Sequence, residues 1–324
     1  YFDWVGGRGK QNLVCYGVGN LPSKSAAQST AGSMKLSKYF FYSKSVEDAL
    51  QALHQSQKPA KVLAGGTDIL LDLQQGRHEP VVTLVDVTNI PELNLLEYRQ
   101  HEIFIGSAVP HRVITTSSII KLHAQALAEA SGLIGGPQVR NVATLGGNVA
   151  HALPAADGTI ALFALNARVE IATMEGRRYV SLDDLFKGPG VSALDPEREL
   201  LVGFYLPEKG PGEGSAFNRI MRPQGVAIAI LNCAVWVQRS GNLITDIRVA
   251  IGPSGPTPRR LTEVEDVLRG KTPGDDEIEA ALQVLLEHVH FRTSRHRATQ
   301  AYREEMARVL LHDTLRQAWE RAEE

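Results

Sequence analysis

The sequence predicts an α+β fold in two packed units behind a short N-terminal extension, and three observations predict it. The chain is 324 residues long, more than one core of about 100–200 residues serves comfortably. Helix-like and strand-like apolar periodicities are interleaved over residues 34–210, whereas residues 215–324 run strands first and helices after. Between them lies PEKGPGEG at residues 207–214, where proline and glycine are too dense for either regular element.

Taken in order, residues 1–33 carry YFDWVGGRGKQN and the small-residue stretch SKSAAQSTAGS with no sustained apolar period, and read as an extension or linker. They lack the apolar core and cleavage pattern of a signal peptide. The first unit starts near Met34. Ser45 and Asp48 stand at capping-box spacing, and Val46, Ala49, Leu50 and Leu53 recur at helical intervals until Pro59. A strand over 61–64 then enters a glycine loop and a helical turn through Ile69, Leu70, Leu71 and Leu73. Strands are expected over 81–87 and 103–106, and a helical region over 117–131. Residues 135–157 hold too many glycines and prolines for a regular element yet are too apolar for a disordered linker, so they are expected as a long ordered loop. Strands at 168–173 and 200–206 flank a surface connection.

The second unit begins near Ser215. Strands at 215–221, 227–238 and 243–251, the last two joined by Ser240, Gly241 and Asn242, predict an antiparallel meander. Thr262 and Glu265 stand at capping-box spacing, residues 278–288 are periodic, and Tyr302, Met306, Val309 and Leu310 stripe a long final helix.

Composition narrows the function. With 43% apolar and 22% charged residues, most of the chain is expected to fold on its own. The formal net charge of −2 gives no bulk attraction for nucleic acid or anionic membrane. No apolar run approaches the roughly 20 residues needed to span a bilayer. Cys15 and Cys233 have no nearby thiol partner, which fits the reducing cytoplasm. Two thiols cannot furnish the four ligands of an iron–sulfur or structural zinc site, so no metal site is expected here and any redox centre is organic.

Two glycine loops carry the chemistry. One is Gly65, Gly66, Thr67 and Asp68; the other is Thr144, Leu145, Gly146, Gly147 and Asn148. Paired glycines let the backbone approach a ligand closely, and successive amides in such turns form a concavity for phosphate. A Gly-Gly turn alone is as readily a tight connection. Neither loop matches GxxxxGK[ST] or GxGxxG, which sets aside nucleoside-triphosphate hydrolysis and the standard dinucleotide fold. A pair of backbone loops does suit the two phosphates and two ring systems of a dinucleotide.

VLAGGTDI at residues 62–69, GPQVRNVATLGGN at 136–148 and PAAD at 154–157 together resemble the FAD-binding subunits of the molybdenum hydroxylases, the xanthine dehydrogenase and carbon monoxide dehydrogenase type. SGPTPRRLTEVEDVLRGK at 254–271 and FRTSRHRATQAYR at 291–303 resemble the family's C-terminal flavoprotein domain, so the likeness runs from about residue 35 to the C-terminus. It implies a vanillyl-alcohol-oxidase-type FAD-binding domain in two α+β subdomains at residues 34–210. A C-terminal antiparallel sheet with helices would follow at residues 215–324.

The same resemblance implies an electron-transfer subunit and a site. Val62, Leu63, Ala64, Gly65, Gly66, Thr67, Asp68 and Ile69 would wrap the FAD pyrophosphate through backbone amides. Thr144, Leu145, Gly146, Gly147 and Asn148 would meet the diphosphate and ribityl region, and Asp157 would be a polar contact. Ile134 with Leu200 or Leu201 would pack on the ring systems, and Asn218 stands where family patterns often place a lysine beside the flavin. No residue of this chain is assigned acid–base catalysis. The implied partners are a molybdopterin-containing large subunit and a small subunit with two [2Fe–2S] clusters, with NAD⁺, oxygen or another acceptor receiving electrons. Two other readings are a flavin-free assembly scaffold and a stand-alone flavin reductase of similar fold.

Several side chains admit two roles on their residue type alone. Asp68 is a ribose contact or a helix cap. Arg140 is a phosphate or subunit contact, or a structural ion pair. His151 faces the flavin or is a satisfied loop histidine. Arg219, Arg222 and the arginines of 292–297 are basic patches for an acidic partner or solvated surface charge.

Overall fold

Alternating apolar positions and one well-capped helix organise the first subdomain. The computed structural model describes residues 37–76, 80–222, 228–295 and 297–323; the expected extension at residues 1–33 lies outside them. Strand β1 (Tyr39–Tyr42) leads into α1 (Val46–Gln55), where the Ser45 hydroxyl accepts from the Asp48 amide at 3.1 Å. The apolar stripe Val46, Ala49, Leu50 and Leu53 is buried, as its spacing predicts. Strand β2 (Ala60–Leu63), helix α2 (Ile69–Gln74) and strand β3 (Thr83–Asp86) follow, and the three strands form a parallel sheet in the order β1-β3-β2.

The second subdomain is a five-stranded antiparallel sheet with helices inserted along the chain. Its members β4 (Leu96–Arg99) and β5 (Glu102–Gly106) precede six short helices: α3 (His111–Thr116), α4 (Ser118–His123), α5 (Gln125–Leu133), α6 (Pro137–Arg140), α7 (Leu145–Ala150) and α8 (Asp157–Ala164). Then come β6 (Arg168–Thr173), β7 (Gly176–Ser181), the small β8 (Phe186–Gly188) and β9 (Val191–Ser192) pair, and β10 (Leu200–Pro207). Strand β10 lies centrally, in the order β4-β5-β10-β6-β7. Its neighbours bury both of its faces: Leu200 and Val202 join the core under α1, whereas Leu201, Phe204 and Leu206 join the core under α5 and α8. A register shift against β6 between Leu201 and Gly203 lets this alternation change phase.

The C-terminal sheet is an antiparallel meander of β11 (Glu213–Ile220), β12 (Leu231–Ser240) and β13 (Leu243–Gly252). Helices α9 (Thr262–Leu268), α10 (Asp275–His288) and α11 (Gln300–Glu320) follow. Period-two alternation sends Phe217, Ala234, Trp236 and Ala250 into the core shared with α5 and α8, and Ala216, Cys233, Val235 and Val249 into the core shared with α9–α11. The sheet is therefore covered on both faces, which explains the unbroken apolar run of β12.

The structure departs from sequence expectation at identifiable points. The helix expected over 117–131 is two helices, because Ala124 leaves the helical region at φ −140°, ψ 51°. The expected loop at 135–157 holds two short helices: Pro137 sits at the first turn of α6, and the Thr144 hydroxyl accepts from the Gly147 amide at the start of α7. The box expected at Thr262 and Glu265 does not form. Glu265 instead accepts from the Val249 amide and the Arg260 guanidinium, and it is buried. Strands β1 and β4 were not anticipated; β1 is an edge strand with three exposed aromatics, Phe40, Phe41 and Tyr42, and shows no alternation.

Because Phe217 fills the core between the C-terminal sheet and α5 and α8, Phe217→Ala is expected to cost about 3–5 kcal/mol, read as a lowered urea midpoint at unchanged slope. Phe40→Ala, at an exposed position, is expected to change stability by less than about 0.5 kcal/mol. Equal effects of the two substitutions would contradict this packing.

Candidate functional site

Backbone contact brings the two glycine loops together. A Cβ placed on Gly65 would lie 2.1 Å from the Val142 carbonyl oxygen and 2.8 Å from the Ala143 Cα. No side chain fits there, so the first loop lies directly on the backbone that leads into Thr144. Gly66 is fixed by a different demand, a left-handed φ of +71°. Gly146 is pressed against Ser107, whose Cβ and carbonyl oxygen would both be 2.6 Å from an added Cβ. Three of the four glycines are thus explained by the protein's own packing.

Gly147 is held more loosely. It is exposed, helical, free of positive φ, and an added Cβ would meet only the Thr144 capping hydroxyl, a close contact at 3.2 Å. An exposed glycine inside a helix costs about 1 kcal/mol relative to alanine, and that one hydroxyl is its only close neighbour among the described residues. Its bare surface is open to a ligand.

The amides divide between the loops in the same way. In the second loop Leu145 donates to the Val109 carbonyl, Gly146 to the Ser107 carbonyl, Gly147 to the Thr144 hydroxyl and Asn148 to the Thr144 carbonyl. Those four amides are engaged within the protein, and only the Thr144 amide of this loop has no acceptor among the described residues. In the first loop, the amides of Gly65, Gly66, Thr67 and Asp68 donate to no other group among the described residues. Asp68 is exposed at the start of α2 and makes no side-chain cap; its carboxylate contacts the Thr67 hydroxyl at 3.5 Å. The cap reading of Asp68 is thus not realised.

Other expected site residues fall in several places. Ile134 is half-buried in the turn after α5, and Arg140 holds that turn by donating to the carbonyls of Ile134 (3.1 Å) and Gly135 (2.7 Å). Among the described residues Arg140 makes no ion pair, so its structural ion-pair reading is not realised. Leu63 is buried, and Val62, Ala64 and Ile69 are half-buried against the cores around α1 and α2. Thr144 and Leu145 are buried. The Asn148 carbonyl oxygen accepts from the Thr159 amide and hydroxyl, so its side chain ties α7 to α8. His151 is half-buried at the end of α7. Leu200 and Leu201 point to opposite faces of β10 and are 2% and 7% exposed; adjacent strand residues cannot both pack on one ring.

Asp157 and Asn218 are each held by partners within the protein. Asp157 is buried, with one carboxylate oxygen accepting from Arg219 at 2.5 Å and the other from the Asn232 amide at 2.6 Å. Burial pushes its carboxyl up, while the Arg219 cation and the Asn232 amide draw it back. Its carboxylate thus joins the first unit to the C-terminal sheet. Asn218 faces away from that junction, donating to Thr314 and Gln317 of α11. Arg219, by contrast, meets the first unit beside Ser215 and Phe217, its side chain 6% exposed and not part of a surface patch. Strand alternation held the signal: Ser215, Phe217 and Arg219 share one face and Asn218 the other.

The seat of four free amides, an open glycine and a left-handed turn fits the diphosphate-bearing cofactor that the sequence resemblance implies. Residues 33–209 match the family described as the FAD binding domain in molybdopterin dehydrogenase, and residues 215–318 match the CO dehydrogenase flavoprotein C-terminal domain. This chain belongs to the molybdopterin dehydrogenase FAD-binding family. It is 31% identical over 275 residues to the nicotine 6-hydroxylase medium subunit of Paenarthrobacter nicotinovorans, covering 85% of this chain and 94% of that one. It is 32% identical over 278 residues to the carbon monoxide dehydrogenase medium chain of Hydrogenophaga pseudoflava, covering 86% and 96%. A solved carbon monoxide dehydrogenase from Hydrogenophaga pseudoflava superposes with a TM-score of 0.83 at 29% identity, over 88% of this chain and 98% of that one. FAD is the cofactor of this oxidoreductase family. Among the described residues of this family member, no helix is long and apolar enough to cross a membrane and no cluster of three potential ligands could hold a metal ion.

His111 lies under the site, its amide donating to the Ala143 carbonyl and its ring 3.2 Å from the Ser131 hydroxyl. Burial first, and then the Arg140 cation, push its imidazole from 6.5 down to about 4. The unfolded chain therefore takes up a proton that the folded chain refuses as pH falls from 6.5 to about 4. Over that window folding stability is expected to drop by about 3 kcal/mol on account of this group. Urea titrations across the window should show the loss in the native chain and a shallower one in His111→Gln; identical pH dependence in the two would contradict the assignment.

Proposed function

We propose that this chain is the FAD-carrying electron-transfer subunit of a molybdenum hydroxylase, with FAD seated across the loops at 64–68 and 144–148. The observation that carries this reading is the pairing of four amides without acceptors at 65–68 with Gly147, an exposed helical glycine whose one close neighbour is the Thr144 hydroxyl. The amides of Gly65, Gly66, Thr67 and Asp68 would donate to the diphosphate, and the left-handed Gly66 keeps them pointing to one side. The bare Gly147 surface would let the ribityl and diphosphate region lie against α7. Ile134, in the turn fixed by Arg140, supplies an apolar surface for a ring, and Leu201 is the better placed of the two β10 leucines.

Bound FAD supplies the two-electron and one-electron chemistry itself. The protein's part is to hold it, to present it to a donor and to limit water. No side chain at this seat needs to move a proton. Electrons would arrive from [2Fe–2S] clusters in a small partner subunit, fed by a molybdopterin-containing large subunit. They would leave to NAD⁺ or another acceptor. The medium-subunit names of the relatives support this division of labour. The two widely separated cysteines of the sequence favour the cytoplasm as the compartment. Residues 34–210 and 215–324 are proposed as the FAD-binding and C-terminal domains.

Gly147→Val tests the seat. The branched side chain is expected to lower flavin content at least tenfold, read as the visible flavin band per mole of chain. The thermal midpoint of flavin-free protein should stay within a few degrees of the native chain, because valine and glycine differ by less than about 0.5 kcal/mol in helix propensity. Full flavin content in the variant would contradict the proposal, and so would a native preparation that stays colourless when FAD is added.

A further inference from the structure

We infer that the segment joining α10 to α11, with Arg292, Arg295, Arg297 and the underlying Arg303, is a docking surface for a carboxylate-rich segment of a partner subunit. The inference rests on the reading of this chain as one subunit of a larger complex.

Several arginines of this chain are paired locally. Arg177 pairs with Glu92 and Glu170, Arg219 with Asp157, Arg260 with Glu265, and Arg321 with Glu129. Among the described residues, Arg292, Arg295, Arg297 and Arg303 make no ion pair with any carboxylate. The first three are exposed. Arg303, in the first turn of α11, is 2% exposed, donates to the Ile230 carbonyl, and has an Nε with no acceptor. Burial and the cations of Arg297 and Arg292 all disfavour its charged form. The adjacent Glu304 is engaged elsewhere, accepting from the Gln300 side chain at 2.7 Å.

A guanidinium held under two like charges, with a backbone carbonyl as its one acceptor, is an incomplete arrangement. The exposed Arg292, Arg295 and Arg297 suit planar, bidentate carboxylates delivered from outside. The position is also suited to electron transfer. Ile230 pairs its amide with the Ile220 carbonyl, one residue beyond Arg219, so the arginines stand at the end of the C-terminal sheet that meets the FAD-binding unit. A partner anchored there is held beside that unit. The net charge of −2 disfavours nucleic acid as the occupant.

The test uses the chain co-expressed and purified with its partner subunits, comparing the native complex with R292E/R295E/R297E, which alters exposed residues outside the flavin seat. Native mass spectrometry and size exclusion across a sodium chloride series read subunit retention, and the visible band reads flavin per chain. The expected result is partner retention at least tenfold weaker in the charge-reversal variant at low salt, with native flavin content. The milder R292Q/R295Q/R297Q should lie between the two and lose most of the salt dependence. Unchanged retention in both variants overturns the inference, as does a native chain that purifies without any partner at low salt, or a patch whose loss weakens binding to a polynucleotide probe but not to the partner. Colourless native protein that still retains its partners would overturn the flavin reading and leave this one standing.

Discussion

The contact between Gly65 and the Val142–Ala143 backbone joins two loops that lie about eighty residues apart in the chain. With a Cβ only 2.1 Å from a carbonyl oxygen, no other residue type can occupy position 65 while the loops remain in contact. The parallel β2 delivers the first loop, and the short α7 presents the second. Each loop then contributes something different: free amides from one, an open glycine surface from the other. A bipartite seat of this kind matches a ligand with a charged middle and bulky ends better than a single phosphate-binding turn would.

The second loop is also coupled to the C-terminal sheet. Asn148 accepts from Thr159, in the first turn of α8, and the same turn begins with Asp157, whose carboxylate is held by Arg219 of β11 and Asn232 of β12. One short path of hydrogen bonds thus runs from α7 to the meander. A buried ion pair of this sort contributes little net stability but enforces one arrangement, because breaking either half strands a charge. Together with Phe217, which packs in the core of α5 and α8, it fixes where the C-terminal sheet sits on the FAD-binding unit. This ties the C-terminal domain to the loop at 144–148 through the protein's own contacts.

Much of this was legible in the sequence where a period or a cap was strong. The stripe of α1, its Ser45 cap and the Gly241 hairpin follow from spacing alone, and the glycine loops announced themselves by composition. What failed did so for physical reasons. Ala124 breaks a continuous helical period without glycine or proline to mark it. The buried Glu265 is drawn from a cap to the half-buried Arg260 and to the strand amide of Val249, which lies 16 residues away. Strand parity turns Asn218 toward α11 and Arg219 toward Asp157 of the first unit, a division that the family resemblance did not carry. The share of amides between the loops was not readable, since it turns on Val109 and Ser107, remote partners that no local motif names.

Amide hydrogen exchange at residues 65–68 speaks most directly to the seat. These four amides have no acceptor within the described fold, so they should exchange rapidly in flavin-free protein and slow by at least tenfold when FAD is added, while Leu145 and Gly146 change little because they are already bonded. Unaltered exchange at 65–68 in FAD-saturated protein would contradict the two-loop seat.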